Sequence, residues 1–184
     1  MTALVIDSVP HGRLTTNDVA RLRELFDAEY SAEFGAWDPD QPYGYAPHDH
    51  HLIARAGDEI VGHVGWARRT IGVGAAEVMV AGVGGVLISP RARGQRVGAR
   101  LLTHAAASMT DAGGIEFGYL GCREEVVSFY ESCGWRRISA VERSIDRTGR
   151  PAIQPPGPPI LTLALGPNPR TWPAGSIDLR GRAW

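Results

Sequence analysis

The sequence predicts an α/β fold with a mixed, mostly antiparallel central sheet flanked by helices. Three β-type segments, 52–55, 60–71 and 77–88, follow one another with glycine-containing turns between them, which predicts an antiparallel meander. A glycine-containing loop then leads into a segment over 95–112, where apolar residues recur at helical spacing. A strand, a short helix and another strand follow from residue 115, so helices are expected to pack against the sheet.

Length and composition restrict the class of protein. The 184 residues and the 43% hydrophobic content predict a single domain over 1–184. A formal net charge of −1 gives no general attraction to nucleic acid or to an anionic membrane. Two cysteines, Cys122 and Cys133, are too few for a disulfide scaffold, and no residue pattern predicts a metal site. The start does not resemble a signal peptide and no apolar run is long enough to span a membrane, so a cytoplasmic protein is expected.

The remaining segments complete the predicted order of elements. A strand is expected over 3–9, followed by an amphipathic helix that is capped by Thr16 or Asn17. The segment 35–51 is interpreted as a loop because proline and glycine interrupt it, although it is rich in aromatic residues and histidines. Toward the C-terminus we expect a strand over 134–143, a proline-rich crossing over 150–159, a strand over 160–165 and an irregular tail.

The clearest signal for function is the loop between the strand that ends at residue 88 and the helix that follows. Such a loop directs backbone N–H groups outward at a helix N-terminus, where the helix dipole adds partial positive charge, and it therefore suits a pyrophosphate. Gly94 and Gly98 would allow phosphates to approach the backbone closely. The glycines between 82 and 98 are accordingly interpreted as a backbone platform for a cofactor.

Two ordered motifs resemble those of the GNAT (GCN5-related) N-acetyltransferases. The loop resembles the acyl-CoA-binding motif R/Q-x-x-G-x-G/A, with Arg93 at its start, Gly98 at its end and Pro90 before it. Arg96 stands where the family usually has its first motif glycine. Downstream, the segment 129–135 resembles the family's Y-x-x-x-G-F/W signature.

This resemblance implies a site for acetyl-CoA. The sheet would splay open after the third meander strand, so that pantetheine pairs with the backbone of Val86, Leu87 and Ile88. The phenol of Tyr130 would protonate the departing thiolate. The expected pyrophosphate-binding residues form one continuous run: Arg93, Gly94, Gln95, Arg96, Val97, Gly98 and Ala99.

Two subgroups of the superfamily are similar over most of the chain. The segment 93–96, the pair Tyr130 and Trp135, and Trp184 resemble aminoglycoside 2'-N-acetyltransferases, while 62–69, 79–81 and 172–175 resemble nodulation N-acyltransferases. Both transfer an acyl group to an amine on a sugar. The expected reaction is therefore acetyl transfer from acetyl-CoA to a primary amine of a small polar acceptor, such as an amino sugar or an aminoglycoside-like antibiotic. Longer acyl chains, a module that binds acyl-CoA or an amine without turnover, and a homodimer stay open.

The sequence offers several candidates for the general base. Both subgroups place a glutamate near Ala81 or Gly82, and this chain has no carboxylate there. His63 is the candidate included among the catalytic residues, because it alternates along its strand with Trp66 and could face the cleft. The alternatives are Glu77, the histidines at 48, 50 and 51, Asp178 and, if the chain ends there, the carboxylate of Trp184. Direct transfer is expected, with Cys122 as a small buried cysteine rather than an acyl carrier.

Four residues are predicted to contact the acceptor. Trp37 and Tyr43 lie in the aromatic loop, and Asp178 and Trp184 lie in the tail. Aromatic rings stack on sugar faces, and a carboxylate can pair with an ammonium group. Ordinary packing and a dimer contact are the alternatives for each.

Overall fold

The computed structural model describes residues 3–184, so residues 1 and 2 of the predicted domain lie outside the described range. The three helices are α1 (Thr16–Phe34), α2 (Val97–Asp111) and α3 (Val127–Ser132). The strands are β1 (Leu4–Pro10), β2 (His50–Ala56), β3 (Glu59–Val73), β4 (Ala76–Ile88), β5 (Phe117–Gly121), β6 (Arg136–Ile138), β7 (Glu142–Ile145), β8 (Pro151–Gln154), β9 (Ile160–Ala164) and β10 (Ile177–Arg182).

These strands form one mixed sheet. Its main order is β6-β9-β5-β4-β3-β10-β7-β8, and β2 adds to β3 with β1 beyond it. The β4–β5 and β7–β10 pairs are parallel, and the other described pairs are antiparallel. The predicted class, a mostly antiparallel sheet flanked by helices, is therefore confirmed.

The sheet opens between β4 and β5. These strands pair only over Val80–Gly82 and Phe117–Tyr119, after which β4 continues to Ile88 without β5 beside it. We call this gap the splay. On its other edge β4 remains paired with β3, but the register shifts, because His63 lies opposite Leu87 whereas Gly65 lies opposite Gly84. The extra β4 residue is a β-bulge at Gly85, whose φ of 58° is readily adopted only by glycine.

Two apolar layers hold the helices against the sheet. On one face, Leu101 and Met109 of α2 pack with Val64 and Val83 of the meander. On the opposite face, Phe26 of α1 packs with strand residues including Ile53 and Leu87. Burying each such side chain stabilises the fold by about 1.5–3 kcal/mol. We call the α1 side of the sheet the acceptor face.

The start of α1 differs by one residue from the expectation. The N-cap is Thr15, whose hydroxyl accepts from the N–H of Asp18 while the Asp18 carboxylate accepts from the N–H of Thr15. This reciprocal arrangement is a capping box with aspartate in place of glutamate. α2 also begins later than expected, at Val97, because Arg96 is left-handed with a φ of 60°.

Three expectations for the C-terminal third were wrong. The strand expected over 134–143 is two strands, because β6 pairs with β9 at one edge of the sheet whereas β7 pairs with β8 and β10 toward the other. The proline-rich crossing contains β8, an edge strand in which a first-position proline is tolerated. The tail contains β10, inserted between β3 and β7 with Ile177 and Leu179 fully buried. None of the helices in the described range has the length and apolar content to cross a membrane.

Candidate functional site

The loop before α2 presents a helix N-terminus beside the splay. Gly94 and Arg96 both have positive φ values, 77° and 60°, which turn the chain from the end of β4 into the helix. Among residues 3–184, no side chain caps this N-terminus, and its first turn holds no acidic residue. Free N–H groups and the helix dipole together favour an anion at this position.

Three side chains of the loop have contacts within the described residues. The guanidinium of Arg93 donates to the carbonyl of Ile88 at 3.2 Å and pairs with Glu29 at 2.5 Å, and that of Arg91 pairs with Glu59. The side-chain amide of Gln95 donates to the carbonyl of Arg91 at 3.0 Å, within the loop. Because these side chains are engaged, the groups that the loop offers to a ligand are chiefly backbone N–H groups.

Gly98 fits closely at the start of α2. A Cβ at this position would lie 3.0 Å from the ring of Phe129 and 3.6 Å from the side chain of Ile88. A larger residue here would require Phe129 to shift, so glycine favours the close approach of the helix to α3 and the end of β4. The predicted cofactor residues 86–88 and 93–99 consequently lie together along one side of the splay.

Tyr130 approaches the splay from the α2 face. Its ring packs among core residues, with Trp135 at 6.1 Å and Phe129 at 5.2 Å between ring centroids. Burial raises the pKa of the Tyr130 phenol, and the neighbouring cysteines raise it further. The phenol is therefore protonated at neutral pH and can act as a proton donor. Burial likewise raises the pKa of Cys122, so this residue is a thiol rather than a nucleophilic thiolate.

Trp184 lies on the acceptor face beside Gly82, the position at which the resemblance to the two subgroups led us to expect a glutamate. A Cβ at Gly82 would lie 1.9 Å from an indole atom of Trp184, so glycine is required for the indole to lie on β4. The guanidinium of Arg69 stacks on this indole at 4.0 Å, and the ring of Tyr119 lies edge-on at 6.3 Å. The Tyr119 hydroxyl in turn donates to Glu142, a buried carboxyl whose pKa is raised by burial.

A chain of histidines runs from the β-bulge to the surface. Nδ1 of His63 donates to the carbonyl of Gly85 at 2.7 Å, and Nε2 of His63 lies 2.9 Å from Nδ1 of His51. Nε2 of His51 lies 3.1 Å from Nδ1 of His11, and Nε2 of His11 lies 2.9 Å from the carboxylate of Asp40. Burial lowers the pKa of His51 to about 2 and that of His63 to about 4, so both rings are neutral at pH 7.

His48 lies beside this chain but outside it. Its ring centroid is 5.8 Å from that of His51 and 6.0 Å from that of His63. The ring is 3% exposed, and neither nitrogen has a hydrogen-bond partner within residues 3–184. Leaving a buried polar group without a partner costs about 1–3 kcal/mol. His48 was among the alternatives for the base in the sequence, whereas His11 was missed because it is far from the other histidines along the chain.

A match to a protein-family model identifies the family to which a chain with this fold and site belongs. The model of Nodulation protein A (NodA) matches residues 10–182, nearly the whole chain. The chain belongs to the NodA family. NodA is an acyltransferase family, and the chain is accordingly an acyltransferase of the GNAT superfamily. No curated protein sequence matches the chain.

Solved structures share the fold of this NodA-family chain at low sequence identity. Escherichia coli ElaA is 20% identical with a TM-score of 0.63, covering 88% of this chain and 99% of its own. A GNAT family acetyltransferase from Brucella melitensis in complex with acetyl-CoA is 17% identical with a TM-score of 0.61, covering 96% of each chain. An aminoglycoside 6'-N-acetyltransferase complexed with coenzyme A is 16% identical with a TM-score of 0.63, covering 90% of this chain and 99% of its own. The bound CoA species support the expected acyl-CoA co-substrate.

The other predicted acceptor residues of the NodA-family chain are dispersed. Trp37 is buried and stacks on Phe26 at 4.8 Å between ring centroids. It also packs edge-on against His63 and does not face an open cleft. Tyr43 lines an open cleft of about 650 Å³ between the end of α1 and the β7–β8 turn, and its buried hydroxyl has no partner among the described residues. Asp178 lies opposite Gly72 of β3. Gly72 is five residues along β3 from Ala67, the partner of Gly82, which corresponds to about 17 Å along the strand. Of the four, the structure brings only Trp184 to the splay.

Proposed function

We propose that the chain transfers an acetyl group from acetyl-CoA to a primary amine of a small polar acceptor, with an amino sugar or an aminoglycoside-like amine as the acceptor class. The reaction would take place in the cytoplasm. The observation that carries the proposal is the splay, which has an uncapped helix N-terminus at one end and a protonated tyrosine beside it, in a chain of the NodA family.

Each part of the splay has a task in this reaction. The N–H groups at the start of α2 would bind the pyrophosphate, and the unpaired edge of β4 would bind the pantetheine by backbone hydrogen bonds. The thioester carbon would then lie near the β-bulge, between Trp184 on the acceptor face and Tyr130 on the α2 face. Most of the rate gain would come from holding the amine and the thioester together, since alignment alone can lower a barrier by several kcal/mol.

The proposed transfer is a direct attack of the amine on the thioester. The amine nitrogen forms a bond to the thioester carbon, the carbon–sulfur bond breaks, and the sulfur leaves with the electron pair and takes the proton of Tyr130. The raised pKa of Cys122 argues against an acyl-enzyme, because a thiol is a poor nucleophile compared with its thiolate. A base accepts the proton that the amine loses, and solvent returns a proton to Tyr130.

A longer acyl chain is the second candidate. Membership of the NodA family favours it, because the resemblance to nodulation N-acyltransferases implies that acyl groups longer than acetyl can be donors. A chain that binds CoA without turnover is the third candidate, since the usual glutamate is absent at 81–82.

One experiment separates the three candidates. The protein is incubated with acyl-CoAs of two to eighteen carbons and with glucosamine, a chitooligosaccharide with one free amine, an aminoglycoside and a lysine peptide. Release of free CoA thiol and the mass of the product are measured together. We expect thiol release and a mass increase of one acetyl group on a sugar amine. Faster transfer from the long-chain thioesters would support the second candidate, and CoA binding without thiol release would support the third.

A further inference from the structure

We infer that His48 accepts the proton of the acceptor amine, in the place of the carboxylate that the central strand lacks. The inference rests on the proposed function, because it concerns the same site. It is carried by three observations: the floor on which the ring lies, the absence of partners for its nitrogens, and its position across β4 from Tyr130.

The floor beneath His48 consists of three glycines on two strands. A Cβ at Gly65 would lie 2.3 Å from Cγ of the imidazole, and a Cβ at Gly84 would lie 3.0 Å from its Nε2. At Gly85 the nearest ring atom, Cε1, would be 3.2 Å away. Because any side chain at Gly65 would displace the ring, the meander is built to admit an imidazole at this position.

Neither ring nitrogen of His48 has a hydrogen-bond partner in the described part of the chain. Nδ1 and Nε2 are both buried and lack a partner within the described range 3–184. Buried polar atoms in folded proteins are nearly always hydrogen-bonded, so a buried imidazole with two free nitrogens indicates a partner that arrives with a ligand. An amine needs one such acceptor to lose its proton.

The other histidines near the splay are unsuitable for this task. His63 and His51 each use both ring nitrogens in the chain that starts at Gly85, and His11 uses both between His51 and Asp40. His50 stacks on Trp66 at 4.4 Å, and Trp66 packs on the α2 face, away from the acceptor face. Among these five histidines, His48 is therefore the one on the acceptor face whose two buried ring nitrogens both lack a partner among the described residues.

The position of His48 fits the order of the reaction. Gly84 and Gly85 belong to the part of β4 that lines the splay, two and three residues from Gly82 and the indole of Trp184. His48 lies on the acceptor face of β4, whereas Tyr130 packs on the α2 face. Trp184 adjoins His48, because a Cβ at Gly84 would lie 2.4 Å from the main-chain carbonyl carbon of Trp184 and 3.0 Å from Nε2 of His48. An amine held beside Trp184 would therefore lie next to His48, while the thiolate would leave toward Tyr130 on the opposite side.

The imidazole of His48 is neutral at pH 7. Burial lowers its pKa to about 3, and the neighbouring rings of His63 and His11 lower it further. His51 also faces it, from β2, and no acidic group is among the causes of its shift. A neutral ring keeps a lone pair available on one nitrogen. When the carbon–nitrogen bond forms, that lone pair takes one N–H proton of the attacking amine, leaving a neutral amide and a protonated imidazole that returns the proton to solvent.

The test compares His48→Ala with His50→Ala, its neighbour on the other face. Acyl transfer is measured with two amines: glucosamine, whose amine must lose a proton during attack on the thioester, and methoxyamine, which is weakly basic and depends less on a base. We expect His48→Ala to lower kcat for glucosamine about 100-fold or more, with the KM for acetyl-CoA little changed. The loss with methoxyamine should be much smaller, and His50→Ala should stay within about threefold of the parent for both amines.

Added imidazole provides the second readout. His48→Ala leaves a space above Gly65, so free imidazole should restore part of the glucosamine rate in a saturable manner. His48→Gln, which retains the bulk of the side chain, is used if the alanine variant has lost its thermal transition. Equal losses for both amines without rescue, or an unchanged kcat, would overturn the assignment of His48. A parent protein that acylates no amine would instead overturn the proposed function itself.

Discussion

The two sides of β4 are built by different means. On the cofactor side, the loop at 89–96 and the start of α2 are continuous in sequence, and they offer backbone groups to a ligand. On the acceptor face, His48, His63 and Trp184 come from a loop, a strand and the tail, and they offer side chains. A local motif can specify the first arrangement, whereas the second exists only after the strands have paired.

Low pH should distinguish the two sides of β4 most strongly, because it destabilises the acceptor face through its buried histidines. The pKa values of His48, His51 and His63 are lowered by burial to about 3, about 2 and about 4, below the value of about 6.5 in an unfolded chain. The unfolded state therefore binds more protons below pH 6.5, so stability is full above that pH and is lost as the pH falls toward 4. Each group contributes up to about 1.4 kcal/mol per pH unit to this loss.

Urea unfolding between pH 7.5 and pH 4.5 measures the effect. Glu142 acts in the opposite direction, because its raised pKa makes the folded state bind a proton first, so it offsets part of the loss. His48→Gln should reduce the slope by about one proton. A free energy of unfolding that does not change over this range would contradict the burial of neutral histidines.

Removal of the Tyr130 hydroxyl tests the α2 side alone. Tyr130→Phe should lower kcat about 100-fold, because the thiolate would leave without a proton donor, and it should leave the Kd for CoA within about twofold. Stopped thiol release with unchanged calorimetric CoA binding would agree with this. A large loss of CoA affinity would mean that the hydroxyl binds the cofactor instead.

The glycine floor can be tested with a single methyl group. Gly65→Ala would place a Cβ 2.3 Å from the His48 ring, and we expect destabilisation of about 1–3 kcal/mol together with a lower kcat. Gly12→Ala is the matched control, since nothing lies within 4 Å of its added Cβ. Thermal unfolding and the glucosamine rate should change for the first variant and hardly at all for the second.

Arg96→Gly gives the smallest expected effect and acts on the cofactor side. The left-handed φ of 60° is strained for arginine and free for glycine, so the variant should be more stable by about 1 kcal/mol. The gain in melting temperature should come with CoA affinity within a fewfold of the parent. A loss of stability would mean that the Arg96 side chain contributes more than its backbone strain costs.

The sequence predicts the elements of the cofactor side well for a physical reason, whereas their role in cofactor binding stays a prediction. Hydrophobic periodicity and glycine placement are local, so the meander, α2 and the motif around Tyr130 could be recognised directly. Even the family's usual glycine at position 96 has an explanation, because this residue must be left-handed. The interpretation of 82–98 as one cofactor platform was only partly useful, since Gly82, Gly84 and Gly85 make room for Trp184 and His48.

The acceptor face could not be predicted in the same way. β7 and β10 are four and six residues long, and their pairing across the sheet is a long-range contact that no local pattern records. Asp178 was placed with the acceptor by its chemistry, but β10 carries it toward the far end of β3. Likewise, His11 belongs to the site only because β1 pairs with β2.

The histidine chain also has a consequence for the tautomers of its rings. The Gly85 carbonyl can only accept, so Nδ1 of His63 carries the proton, and Nε2 of this neutral ring accepts from Nδ1 of His51. Nε2 of the neutral His51 ring is then left to accept from Nδ1 of His11. One carbonyl at the bulge thus fixes the direction of three successive hydrogen bonds, from the centre of the splay out to His11.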